Sequence, residues 1–268
     1  VAGADVTRWA LLLEYDGAGF VGWQRQAVGI AIQAVVEDAA AHLAGAPVTA
    51  IVAGRTDAGV HALGQVAHLD LARSMSGEKL VSALNFHMRP HRVSVLRAVS
   101  VAADWSARFS AVGRDYRYVL LTRRGRPALD EGRVWHLPHG VDAARMAEGA
   151  RYLLGRHDFT SFRAASCQAN SPWRTLDRLD VARRGDRVEI LASARSFLHH
   201  QVRNMVGTLK LVGEGRWAPE AMGAALAARH RSAAGPTAPP EGLFLTGVRY
   251  PEDVFGGGGG RVQLDAMG

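Results

Sequence analysis

The chain of 268 residues holds a single cysteine, Cys167. One thiol excludes an intrachain disulfide and a cysteine-rich zinc site, and a buried thiol is its simplest reading. Lysine is almost as scarce, with Lys79 and Lys210 the only two. Long apolar runs are missing as well. A transmembrane helix needs about 18 to 20 consecutive apolar residues. The longest uncharged stretch, Ala39 to Gly54, is broken by His42, Gly45, Pro47 and Thr49 and reads as a helix end, a turn and a strand. A secretory signal starts basic and continues apolar, whereas the only charge in Val1 to Thr7 is the acid Asp5. A cytoplasmic protein without membrane attachment is expected. Acids, finally, are in deficit: 25 Asp and Glu stand against 32 Lys and Arg, for a net charge of +7 and a pI near 10.3. With lysine so rare, arginine carries the excess. Guanidinium groups pair with phosphate oxygens and stack on bases, so this balance points to nucleic acid. Charge of this kind speaks to partners and not to fold.

At about 150 residues per domain, the length predicts one or two domains with ample core. Arg8 to Glu14 is a short apolar run stopped by Asp16-Gly17, which suits a buried strand. Ile32, Val35, Val36, Ala39 and Leu43 recur at helical spacing until Gly45 and Pro47 close the segment. Strands are expected over Val48 to Ala53 and Val66 to Leu71, a helix around Leu80, Val81 and Leu84, and a kinked or bulged strand from Val93 to Val101. The same order then returns. Val112 to Thr122 alternates as a strand, and Met146, Ala150, Leu153 and Leu154 mark a helix ending at Gly155. A hairpin joins Leu176 to Arg183 with Arg187 to Ala194 across Gly185-Asp186, and Val202 to Val212 follows as a helix. Pro219 opens an extra helix reaching about Arg229, and Leu243 to Tyr250 is the last strand. The expectation is an α+β protein of two ferredoxin-like, RRM-like β-α-β-β-α-β halves with antiparallel sheet. Its boundaries are 1–106, 107–252 and a flexible glycine-rich tail over 253–268.

Four motifs compete for function. Gly17-Ala18-Gly19-Phe20-Val21-Gly22 fits G-x-G-x-x-G and opens a reading as an NAD-dependent oxidoreductase. In that fold the glycines open a helix, yet Trp23 to Gln26 and Gly29 intervene before helical spacing starts at Ile32, and Glu37 and Asp38 fall within the helix. His136 with His139 and the pair His199-His200 are badly spaced as metal ligands, because Pro138 breaks the first and helical neighbours diverge in the second. Arg123, Arg124 and Arg126 form a basic turn that suits solvent and RNA phosphate equally. The fourth motif, Gly54 to Ala62, places Asp57 as the only carboxylate among small and polar residues, with Arg55 and His61 on either side. Such a loop admits a large ligand close to its backbone, though an aspartate that merely caps a turn satisfies the same pattern.

Gly54-Arg55-Thr56-Asp57-Ala58-Gly59-Val60-His61-Ala62 followed by Gly64-Gln65-Val66 resembles the signature of the TruA-type tRNA pseudouridine synthases. Further matching pieces occur in order. They are Tyr15-Asp16-Gly17, Gly22-Trp23-Gln24, Leu84-Asn85, Phe109, Arg114 to Tyr118, Gly155 to Phe159, Phe197-Leu198, Val202 to Gly207 and Gly242-Leu243. The resemblance spans Leu11 to Tyr250. Gln201 stands where the family usually has methionine, and Met88-Arg89-Pro90 replaces its usual Leu-Pro continuation.

The resemblance implies a pseudouridine synthase fold and an isomerase acting on uridines at positions 38–40 of the tRNA anticodon stem-loop. The N1 to C1′ glycosidic bond breaks, and C5 of the same uracil joins C1′. Asp57 falls on the catalytic aspartate, with attack at C1′, attack at C6 and a first role as a base all open, and a carboxylate suits each. Tyr116 matches the residue that stacks on the flipped uracil, and Arg203 the arginine that pairs with the aspartate and keeps it ionised. Leu243 matches an apolar wall of the base pocket, and Arg55 is expected to contact the flipped nucleotide or its phosphates. The family works as a homodimer on tRNA and implies no metal or organic cofactor. A catalytically silent RNA-binding module is the alternative, which the presence of Asp57 disfavours.

Overall fold

The computed structural model describes residues 6–256. It divides into two compact units, Val1–Arg114 with Leu245–Gly268, and Asp115–Phe244.

The first unit contains β1 (Thr7–Tyr15), α1 (Ile32–Ala44), β2 (Ile51–Val52), β3 (His61–Leu71), α2 (Gly77–His87) and β4 (Val93–Val101). β1 lies between β3 and β4 and is antiparallel to both, and β2 pairs with β3. Residues 9–13 of β1 are buried one after another, which is why that strand reads as an unbroken apolar run and does not alternate. Ile32, Val36, Ala39 and Ala40 of α1 and Leu80 and Leu84 of α2 are buried too. Gly45 ends α1 in the left-handed conformation at φ 68°, and Ser76 caps α2 by accepting from the Lys79 amide. The irregularity expected in β4 is a bulge at Leu96, where Leu12 faces Arg97 and Leu13 already faces Val95.

Two boundaries differ from the sequence expectation. β2 is only Ile51–Val52, because the Ala50 amide donates to the side chain of buried Glu37 at 3.0 Å instead of to a strand. β3 starts at His61, so the last two residues of the expected loop are already strand.

The second unit contains most of β5 (Gly113–Leu121), then β6 (Trp135–His136), α3 (Ala143–Arg151), β7 (Gly155–Asp158), β8 (Trp173–Arg184) and β9 (Arg187–Ala194). α4 (Gln201–Gly213), α5 (Ala221–Ala228) and the start of β10 (Leu243–Arg249) complete it. Its strands run in the order β5-β9-β8-β7, with β6 parallel to β5. Gly185 takes φ 60° in the β8-β9 hairpin. Val188, Ile190, Ala192 and Ala194 alternate inward, and α4 buries Met205, Val206, Leu209 and Val212. The sequence reading misses β6 and β7. The first is too short to alternate, and the second is Gly-Arg-His-Asp, without an apolar residue. α3 stops at Arg151 and not at Gly155, since Leu153 and Leu154 bond three residues back in a tightening turn and Gly155, at φ 93°, begins β7.

The architecture is thus mixed α+β with mostly antiparallel sheet. Of the tail expected over 253–268, residues 257–268 lie outside those described; Phe255 is buried, and Arg97 donates to its carbonyl at 3.1 Å. Among the described residues no helix is long and apolar enough to cross a membrane.

Candidate active site

In the first unit Asp57 sits half-buried between β2 and β3, with Arg55 exposed beside it. The loop is held from two directions. Along its backbone, the Trp23 amide donates to the Thr56 carbonyl at 3.0 Å, and the Val60 amide closes a turn onto the Asp57 carbonyl at 3.1 Å. This close passage needs glycine. Gly22 has φ 101°, and a Cβ there would lie 2.7 Å from the Thr56 carbonyl oxygen, while a Cβ on Gly17 would overlap the carbonyl of Val60. The first and last glycines of G-x-G-x-x-G thus let residues 17–22 run against the Asp57 loop, and α1 begins only at Ile32.

From below, the loop rests on buried polar side chains. Tyr15 Oη and Thr56 Oγ1 share a hydrogen bond of 2.8 Å, and Gln65 Nε2 donates to Tyr15 Oη at 3.2 Å and to the Gly54 carbonyl at 2.8 Å. All three side chains are buried. Burial pushes the Tyr15 phenol up to about 12, against the smaller opposing effect of its hydrogen bonds to Thr56 and Gln65, so it is neutral at ordinary pH. Arg114, also buried, donates to the Ala53 carbonyl at 2.7 Å and to that of Arg108 at 3.0 Å, fixing the point where the loop leaves β2. His61 belongs to β3. Its Nδ1 accepts from the Gly17 amide at 3.0 Å and lies 3.2 Å from Asp16, whose other oxygen accepts from Arg92 at 3.0 Å.

In the second unit Tyr116 stands half-buried on β5, edge-on to Phe197 at 5.2 Å and 90°. Tyr118, two residues on, is fully buried and donates to the Pro239 carbonyl at 2.7 Å; burial raises its pKa far above that of a free phenol. Arg203 lies in the first turn of α4. Its Nε donates to the Ala238 carbonyl at 2.8 Å, and the Ala238 amide returns a bond to the Arg203 carbonyl at 3.1 Å. Leu243 is buried at the start of β10, just after Gly242, where a Cβ would meet the Tyr118 ring at 2.6 Å. Arg203 and Leu243 are therefore joined through one clamped segment, Ala238 to Gly242. Tyr116 is braced separately by Phe197, as Arg55 and Asp57 share their own loop.

Sequence reasoning assigns no task to Tyr15, Gln65, Arg114 or Asn204, although each stands inside a matched motif. For Tyr15, Gln65 and Asn204 the signal was a polar residue among apolar neighbours in a strand or helix, which a packed core admits only when it is bonded.

In the first unit one carboxylate stands on a loop of small residues, fixed by neutral Tyr15, Thr56 and Gln65 and at its β2 end by Arg114, and no helix opens at residues 17–22 as a dinucleotide site requires. A model of the tRNA pseudouridine synthase family matches residues 150–251. The relation extends well beyond that segment. A tRNA pseudouridine synthase A of Acidiphilium cryptum is 64% identical over 250 residues, covering 92% of this chain and 98% of the relative. One of Paramagnetospirillum magneticum is 58% identical across 91% of this chain and 95% of its own length. Another, of Gluconobacter oxydans, is 52% identical across 93% and 92%. The chain belongs to the tRNA pseudouridine synthase A family.

Proposed function

We propose that this chain isomerises uridine to pseudouridine at positions 38–40 of the tRNA anticodon stem-loop, with Asp57 as its nucleophile. The observation that carries the reading is Asp57 itself, on a loop whose Thr56 and Gly54 are held by the buried Tyr15 and Gln65 side chains, in a chain 64% identical to a tRNA pseudouridine synthase A. The carboxylate adds to C1′ or to C6 and leaves again. The N1 to C1′ bond breaks, C5 bonds to C1′, the C5 hydrogen departs as a proton and N1 gains one, so the product is an isomer and no redox partner is consumed. Tyr116 serves as the platform for the flipped uracil, and its edge contact with Phe197 supports that role by fixing the ring plane. Arg203 supplies the positive charge that keeps a carboxylate ionised, Leu243 an apolar wall, and Arg55 an exposed contact to the nucleotide or its phosphates. Flipping a base costs a few kcal/mol, which stacking and phosphate contacts from an arginine-rich chain offset.

The enzyme works in the cytoplasm as a homodimer, without metal or organic cofactor. We also read its two units as duplicated β-α-β-β-α-β halves, supported by the matching orders β1-β3-β2 and β5-β9-β8. The test is tritium release from tRNA carrying 5-tritiated uridine, followed by mapping of the modified positions. Release confined to positions 38–40 is expected, and none from the folded chain would overturn the reading.

A further inference from the structure

The loop from Gly235 to Gly242 is tied to α4 by polar groups that serve no part of the reaction directly. Asn204, fully buried, donates through Nδ2 to the Phe162 carbonyl at 2.9 Å. Its Oδ1 accepts from Thr237 Oγ1 at 2.6 Å and from Arg231 Nη2 at 3.1 Å. Arg231 donates further to Thr237 Oγ1 at 3.1 Å and to the Gly235 carbonyl at 2.9 Å. Thr208 Oγ1, also buried, accepts from the Gly235 amide at 2.9 Å and donates to the Asn204 carbonyl at 2.7 Å. Gly207 lets the loop come this close, since a Cβ there would overlap the Pro236 carbonyl.

The residue after Thr237 is Ala238, whose carbonyl holds Arg203 Nε at 2.8 Å. A guanidinium is planar, so fixing Nε fixes the plane in which its remaining donors lie. Five residues further along the same loop comes Leu243. We propose that Arg231, Asn204 and Thr237 are positioning residues that set the orientation of the Arg203 guanidinium and the place of Leu243 through this loop. The inference rests on the reading of Arg203 and Leu243 as parts of the uridine site. Apolar packing would hold a loop on a helix just as firmly. What hydrogen bonds add is direction, because each acceptor must meet its donor in line.

Thr237→Val removes one hydroxyl from this network with little change of volume, Thr237→Ser keeps it, and Arg231→Lys replaces a fork by a single point charge. Each is compared with the parent chain for tRNA Kd, for single-turnover rate at saturating tRNA, and for the 15N–1H resonance of Arg203 Nε, identified by its loss in Arg203→Lys. Thr237→Val is expected to slow the chemical step about tenfold or more, as small misplacements do. Its Kd should stay within about threefold, because phosphate contacts elsewhere carry the binding. The Arg203 Nε resonance should move, and Thr237→Ser should restore both rate and resonance. Arg231→Lys should behave like Thr237→Val, and it decides the matter if the valine variant does not fold. A folded variant with lowered melting temperature but parental rate and resonance would overturn the inference and leave the function standing. A parent chain without turnover would overturn both.

Discussion

The Asp57 loop and the Gly235 to Gly242 loop are both irregular, yet they are held differently. The first is wedged by backbone, with Gly22 and Gly17 pressed against its carbonyls and uncharged Tyr15, Thr56 and Gln65 beneath. The second also passes close to backbone, at Gly207, but it is tied in addition by side chains, chiefly Arg231 and Asn204, with several bonds sharing the work. A backbone wedge tolerates no added atom, whereas a shared network loses one bond at a time. Damage to the first loop should therefore be all but complete, and damage to the second graded.

Among changes to the groups that hold the two loops, the largest effect is expected from Gly22→Ala, which puts a methyl against the Thr56 carbonyl and forces φ 101° on a residue with a side chain. It should cost on the order of 3 kcal/mol in chemical denaturation and slow single-turnover modification at least about 100-fold. Gly207→Ala meets a tighter site, with its Cβ overlapping the Pro236 carbonyl oxygen, but Gly207 is helical and carries none of the left-handed backbone strain of Gly22. We expect about 1 to 3 kcal/mol of destabilisation and a rate loss of about tenfold. Losses of equal size at Gly22 and Gly207 would erase the distinction between the two loops.

Tyr15→Phe comes next. It removes the hydroxyl that links Thr56 to Gln65 and should cost about 1 to 2 kcal/mol, since both partners are buried. The pH dependence sharpens this. The folded phenol is pushed up to about 12 from an ordinary 10.0, so burial favours the neutral form. That stabilisation is complete below pH 10 and is lost as pH rises through about 12, because the unfolded chain gives up the proton first. Denaturation midpoints should thus fall over this window, and less so in Tyr15→Phe. Weaker still at the level of either loop is salt: tRNA affinity should drop steeply between low and high ionic strength through counterion release, with both loop variants showing the parental slope. A strong chelator should leave turnover unchanged, and loss restored by added metal would contradict the cofactor-free mechanism.

Much of the fold was legible because burial follows period. Ile32, Val36 and Ala39 declare α1, and Val188, Ile190 and Ala192 declare β9. What escaped was short or polar: β6 is two residues, β7 has no apolar residue, and the segment before β2 bonds to a glutamate on a helix. Asp57 could be singled out as the lone carboxylate in a small-residue loop, but its support could not. Tyr15 and Gln65 lie on different strands, and Thr237 meets Asn204 only after α5 intervenes. Partnerships between distant polar residues leave no periodic trace, so the sequence shows the lone loop carboxylate more readily than the groups that hold its loop still.

The central claim is tested most directly by Asp57→Asn, which preserves the size of the side chain and removes its charge and nucleophilicity. Tritium release from 5-tritiated uridine in tRNA is measured beside tRNA affinity and folding. Release should vanish while Kd stays within about tenfold, roughly 1.4 kcal/mol. Substantial release from a folded Asp57→Asn chain would show that Asp57 only shapes its turn, and the account would be wrong.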